Sequence, residues 1–303
     1  MEEIFEKIYK DLEKECEKGL KELNNKKRKI IITILIILIV INLVLSFIIK
    51  TGSIILLMVM ISVVILVFFI LYGNKLYRDA YKNEVIRRLV NLYNNKMYFD
   101  SKYGVIKSFY KASNFDKRFT DYNSEDRIFG KLEGENNFQM SEVLAEEVHT
   151  YKSNGNTHTD RNETFSGLFG TIKLSKNLMT QINVFNDSHV QRYAKDRIEV
   201  DSAEFEEFYD LLAKDKILAL KIFTPELIEK FNELRRENPK YIFELKICEE
   251  NVYFRFKCGH NLFEPVALKN NLDKQQIKKY FKLIYYPIEL SRQLIKNINN
   301  VII

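Results

Sequence analysis

Cys258 and His260 form a Cys-x-His pair, with Cys248 ten residues earlier, at the end of the stretch YIFELKICEENVYFRFKCG (241–259) and just beyond it. That stretch reads as a β-hairpin turning at Glu249, Glu250 and Asn251. Thiolate and imidazole are zinc ligands, and alternate residues of a strand share a face, so Cys248, Cys258 and His260 are the metal candidates. Cysteines on hairpin strands are more often small buried hydrophobes, and neither a metal nor another cofactor is expected. The four histidines, His149, His158, His189 and His260, nowhere take the i, i+4 spacing of a zinc-protease helix. Ten glycines include no Gly-x-x-x-x-Gly-Lys phosphate loop. Gly167 and Gly170, in FSGLFGT, enclose two apolar residues and read as a bend in a strand. Glu146 and Glu147 are adjacent, hence on opposite faces of a strand and badly placed to share acid/base work. With no nucleophile elbow and no Cys/His nucleophile pair, a catalytic site is not expected.

The elements that would carry these residues are set by hydropathy and charge. The 303 residues hold 47 Lys plus Arg against 41 Asp plus Glu, a net +6 that is unevenly spread. Residues 1–29 contribute +1, residues 30–73 carry only Lys50, and residues 74–102 contribute +4. Residues 103–303 hold 30 charges of each sign. A nucleic-acid binder keeps its basic excess on its folded domain, so nucleic acid is not expected as a partner. Three scattered cysteines, Cys16, Cys248 and Cys258, do not make a disulfide framework and point to a reducing compartment.

Residues 30–49 and 53–72 are two runs of 20, each interrupted by at most three polar side chains. At about 1.5 Å per residue each reaches roughly 30 Å, the thickness of a bilayer core. Together, 30–73 reads as a transmembrane helical hairpin joined by Lys50, Thr51 and Gly52. The flanks are basic: Lys26, Lys27, Arg28 and Lys29 before the first span, and Lys75, Arg78, Lys82, Arg87 and Arg88 after the second. The positive-inside rule then places both termini in the cytoplasm of a two-span protein of the cell membrane, with membrane lipids as partners. Asn42, in mid-span, needs a hydrogen-bond partner across the hairpin or on a second copy. Residues 1–29 and 74–102 read as amphipathic helices. Phe5, Ile8, Leu12, Cys16, Leu20 and Leu23 form one apolar stripe, and Leu76, Tyr81, Val85, Leu89, Leu92 and Tyr93 another. Since the hairpin pivots near Thr51, the two stripes should meet as an antiparallel stalk.

Residues 103–303 read as one cytoplasmic α+β domain, an antiparallel sheet followed by C-terminal helices. Candidate strands are DRIFGKLEG (126–134), 137–152, 165–176, 180–185 and 196–200, and their short connections suggest a meander. Asn154-Gly155 marks the hairpin turn after the second of these. Thr224 followed by Pro225 opens a helix, and a long helix is expected over 273–299, kinked or split at Pro287.

The stretches DRIFGKLEG, FQMSEV, FSGLFGTIKLS, VDSAEFEEFYDLLAKDKILALKIFTPELIEKFNEL and LFEP (262–265) resemble the bacterial family called domain of unknown function 3137. The resemblance runs from about residue 103 to the C-terminus. It implies a membrane hairpin followed by one cytoplasmic unit, and it brings no activity, cofactor or site residue. The expected role is a non-enzymatic scaffold or protein-interaction domain at the inner membrane face, through an unidentified partner or self-association. The alternative roles are a lipid-headgroup sensor and a hydrolase with an unrecognised site.

Overall fold

A computed structural model describes residues 1–48, 52–132, 135–153, 155–186, 194–265 and 272–301. The chain forms two compact units, Met1–Leu89 with Glu264–Lys278, and Val90–Phe263 with Lys279–Ile303.

In the first unit, helix α1 runs unbroken over Glu2–Ile48. It merges the expected segments 1–29 and 30–49, because NNKKRK between them contains neither Gly nor Pro to stop a helix. Helix α2 spans Gly52–Tyr81 and continues through a π-helical turn, Lys82–Ile86, into α3, Arg87–Tyr93. Lys50 and Thr51 of the expected connection lie outside the described residues. The most apolar windows of both long helices bury none of their residues within the protein. A core helix of a soluble domain would bury most of such a window, so both are long enough and apolar enough to cross a bilayer.

The two stripes do meet. Phe5, Leu12, Cys16, Leu20, Tyr81, Val85 and Leu89 are all buried, whereas Leu76 and Leu92 of the second stripe stay exposed. Cys16 Sγ lies 3.4 Å from the carbonyl oxygen of Glu84, and Arg88 pairs with Glu15 at 2.7 Å. Asn42 finds the partner its position demands: its Nδ2 donates to Ser62 Oγ at 2.7 Å and to the carbonyl of Leu38 at 2.8 Å. Asn42→Leu is expected to destabilise the hairpin by about 0.6 kcal/mol, the typical worth of such a bond in a membrane. Thermal unfolding in nanodiscs checks this, and the double change with Ser62→Ala should cost scarcely more than either alone.

A third segment joins the stalk, which the sequence did not disclose. Tyr9 donates its hydroxyl to the carbonyl of Leu272 at 3.1 Å, while Lys274 and Lys278 pair with Glu6 and Glu2 at 2.7 and 2.6 Å.

The second unit is built on a nine-stranded antiparallel sheet of order β1-β2-β3-β4-β9-β8-β5-β7-β6. The strands are β1 Met97–Asp100, β2 Asp121–Lys131, β3 Asn137–Ser153, β4 Asn156–Lys173, β5 Gln181–Asn186, β6 Arg197–Ile198, β7 Tyr209–Ala213, β8 Ile242–Cys248 and β9 Asn251–Lys257. Four differences from the sequence reading stand out. β1 and the break before it interrupt the helix expected over 74–102. β4 is a single strand of 18 residues rather than one starting at 165. β6 holds two residues where five were expected. The sheet is not a continuous meander, because β4 pairs with β9 and β5 lies between β8 and β7. Asn154 and Gly134 lie outside the described residues; Gly155 takes φ +80°, which suits the glycine of a tight turn.

Helices α4 Lys107–Ser113, α5 Ala203–Phe208, α6 Lys216–Ile222, α7 Pro225–Glu237 and α8 Lys274–Val301 complete the chain. α7 begins as expected, with Thr224 Oγ1 accepting from Leu227 N–H and Pro225 in the first turn. α8 is assigned as one helix through Pro287 and is not split. The two faces of the sheet differ. On one, Ile128, Phe138, Met140, Ile172 and Phe254 are all buried, and Phe243 of the same face meets Phe231 of α7. On the other, α4 covers only part: Tyr110 packs on Phe165 and Phe169, with ring centroids 5.9 and 4.9 Å apart.

Candidate functional site

The three metal candidates are not brought together. Cys248 sits opposite Asn251 at the turn end of the β8–β9 hairpin, whereas Lys257, just before Cys258, pairs with Ile242 at the other end. Six residues of rise, about 20 Å, separate those ends, far beyond any shared coordination sphere. Cys248 is exposed; burial pushes the Cys258 thiol up to about 12, which makes it an unreactive thiol at neutral pH. His260 Nδ1 lies 3.4 Å from Ser166 Oγ. Cys16 is likewise buried, its thiol raised to about 11. His189 lies outside the described residues.

Carboxylates do converge, at a place that sequence spacing did not mark. Glu125, Asp126 and Glu142 present oxygens within 4.8 Å of one another, at the bulge where the β2–β3 register shifts. Asp126 takes φ +57° there and is completely buried. Both oxygens of Glu142 accept backbone N–H groups, Oε1 from Asn261 and Oε2 from Leu262, the latter at 2.9 Å. Glu142 therefore ties β3 to the turn after β9, a contact across 120 residues of chain.

A second polar group lies under α4. Arg255 on β9 bridges Asp116, at 2.9 Å, and Glu244 on the paired rung of β8. Its guanidinium also stands 4.7 Å from the centre of the Phe115 ring. Asp116 accepts the hydroxyl of Tyr110 as well, and burial with that bond raises the phenol. One rung along, Lys246 Nζ donates to the carbonyls of Ser113 and Asn114 at 3.1 and 2.6 Å. Burial first, and then the neighbouring Arg255, depress its amine from 10.5 to about 8. Arg197 plays the corresponding part at the far edge, between Asp210, at 2.7 Å, and Glu206.

The basic flanks divide into two sets. Lys26, Arg28, Lys29, Lys75, Arg78 and Arg87 are exposed, as headgroup contacts would need. Lys82 is 3% exposed and pairs with Glu264 at 2.8 Å, which takes it out of any lipid contact. Arg88 is held by Glu15 and Glu84, and Lys27 donates to Asn74 Oδ1 at 2.5 Å.

A concavity of about 1150 Å³ in the second unit lies where the strand ends of β2, β3 and β4 meet the chain before β1. Nothing in the sequence reading had assembled its lining.

No curated protein and no solved structure matches the chain. FSGLFGTIKLS, VDSAEFEEFYDLLAKDKILALKIFTPELIEKFNEL and LFEP all fall inside the one family match, while DRIFGKLEG and FQMSEV fall outside it. Residues 163–299, from within β4 to near the end of α8, match the model of the family described as protein of unknown function (DUF3137).

Proposed function

We propose that this chain is a membrane-anchored binding domain without catalytic activity, held at the cytoplasmic face by its helical hairpin, where it engages another protein or a second copy of itself. The observation that carries this reading is the pair of long helices whose apolar surface is left bare by the rest of the protein. A bilayer is the environment in which such a surface is stable. The Asn42–Ser62 bond supports it too, since it satisfies an amide at mid-span from within the hairpin. A role without catalysis is supported by the use of the buried charges: Arg255 is occupied by two carboxylates and Arg197 by three, which makes them structural braces. The exposed basic side chains beside the hairpin fit the positive-inside rule and anionic headgroups.

The test uses the full chain in its membrane. Crosslinking in isolated membranes, followed by size analysis, should give a discrete product larger than the monomer. A chain that stays monomeric at every crosslinker length, with no second protein attached, would overturn the binding role while leaving the anchor intact.

A further inference from the structure

The concavity beside β1 is strongly basic within a part of the chain whose charges otherwise cancel. Among the described residues, five cations line it, Lys96, Arg127, Lys131, Lys173 and Arg292, against one carboxylate, Glu135. Three of the five are occupied: Lys131 by Glu135, Lys173 by Glu250 and Arg292 by Glu289. Among the described residues, neither Lys96 nor Arg127 forms an ion pair, although Glu135, held down first by its bond to Lys131, also feels the charge of Lys96, and Asp100 stands opposite Arg127 in the β1–β2 register. Lys96 is exposed, on the segment leading into β1.

Arg127 is the more telling of the two. Its guanidinium lies 4.5 Å from the centre of the Phe129 ring, which holds the planar group in place, and its Nε is shut off from water with no acceptor. A stacked guanidinium also presents its remaining N–H groups in a fixed fork that suits a phosphate or carboxylate.

The sheet explains why these groups share one surface. Arg127, Phe129 and Lys131 alternate along β2 and so point the same way. Phe129 stands opposite Tyr98 on β1 and Gln139 on β3, and Gln139 opposite Thr171 on β4. The result is an aromatic pair, Tyr98 and Phe129 at 5.7 Å, beside a polar rung in which Gln139 Nε2 donates to Thr171 Oγ1 at 3.3 Å.

We infer that this groove binds a phosphomonoester. Two cations outside any ion pair match one dianion, the guanidinium fork matches its oxygens, and a cavity of this volume is large enough for a ligand well beyond inorganic phosphate. The phosphate is carried either by a soluble metabolite or by a lipid headgroup. This inference stands on the second unit alone and does not depend on the anchoring role proposed above.

The test measures thermal unfolding of the full chain in phosphatidylcholine nanodiscs, titrated with glycerol 3-phosphate, inorganic phosphate and sodium chloride at matched ionic strength. Glycerol 3-phosphate should raise the midpoint in a saturable way that chloride does not reproduce. Lys96→Gln, on an exposed side chain that folding does not need, should weaken the apparent affinity about tenfold, the loss of one charge-assisted hydrogen bond. Arg127→Gln should weaken it at least as much. A second set of nanodiscs containing phosphatidic acid separates the sources. Stabilisation there without added ligand, lost in Lys96→Gln, identifies a headgroup; stabilisation only by glycerol 3-phosphate identifies a soluble ligand. No saturable shift with any probe, or a shift unchanged in both variants, overturns the assignment.

Discussion

Arg255→Met is expected to destabilise the second unit by about 3–5 kcal/mol, the usual cost of breaking a buried ion pair from one side. The side chain is the shared partner of Asp116 and Glu244, both largely shielded. Methionine would fill much of the same volume but would leave two carboxylates with no cation between them. Burial opposes the charge on Arg255, yet those carboxylates keep it firmly protonated. Urea unfolding of the wild type and the variant, compared at one pH, gives the difference.

The same substitution should move Lys246. Burial is the main reason its amine falls to about 8, and the positive charge of Arg255 is the next. With Arg255 gone, the amine should titrate higher, which pH-dependent NMR of the lysine side chain would report. The linkage to stability has a definite sign. In the wild type the folded amine releases its proton near 8 and the unfolded one near 10.5, so between those values the unfolded chain binds more protons. The contribution of Lys246 to stability therefore rises as pH climbs through that window and is constant below it. In Arg255→Met the window should narrow from its lower end.

Phe231→Ala should be as damaging, about 3–5 kcal/mol. Phe231 is 1% exposed, and its ring meets those of Phe205, Tyr209, Phe223 and Phe243 at centroid distances of 5.3–6.2 Å. It is the point where α7, α5 and β8 close on one another. The cavity left by alanine would be walled by rings on separate elements, which cannot all move inward together. Leucine at the same position should restore a good part of the loss by refilling the volume, and the same urea series would show it.

What could be read from the sequence was what depends on neighbours along the chain. The two apolar runs, the Thr224 and Pro225 start of α7, the start of β3 at Asn137 and the β8–β9 hairpin are all local signals of period, cap or turn. The stalk was legible for a related reason: a hairpin with a three-residue connection fixes which residues of its two arms can meet. Contacts set by distant segments were not legible. β1, four residues long, sits where the charge pattern continues that of a helix, and only its pairing with β2 makes it a strand. The insertion of β8 and β9 between β4 and β5 left no trace in spacing. Gly170, read as a bend, has another use: a Cβ there would overlap the ring of Phe254, which stacks between Phe138 and Phe243. The partners of Glu142 lie about 120 residues on, and the lining of the basic groove comes from β1 to β4, β9 and α8, so neither could be assembled from a motif.

The account rests most heavily on the hairpin crossing the membrane with both ends inside. The direct measurement is labelling of single cysteines by a membrane-impermeant thiol reagent in intact cells, in a chain whose Cys16, Cys248 and Cys258 are replaced by alanine. Thr51→Cys should react from outside, whereas Glu3→Cys and Lys296→Cys should react only after the membrane is opened. Labelling of either end in intact cells, or protection of position 51 alone, would contradict the account.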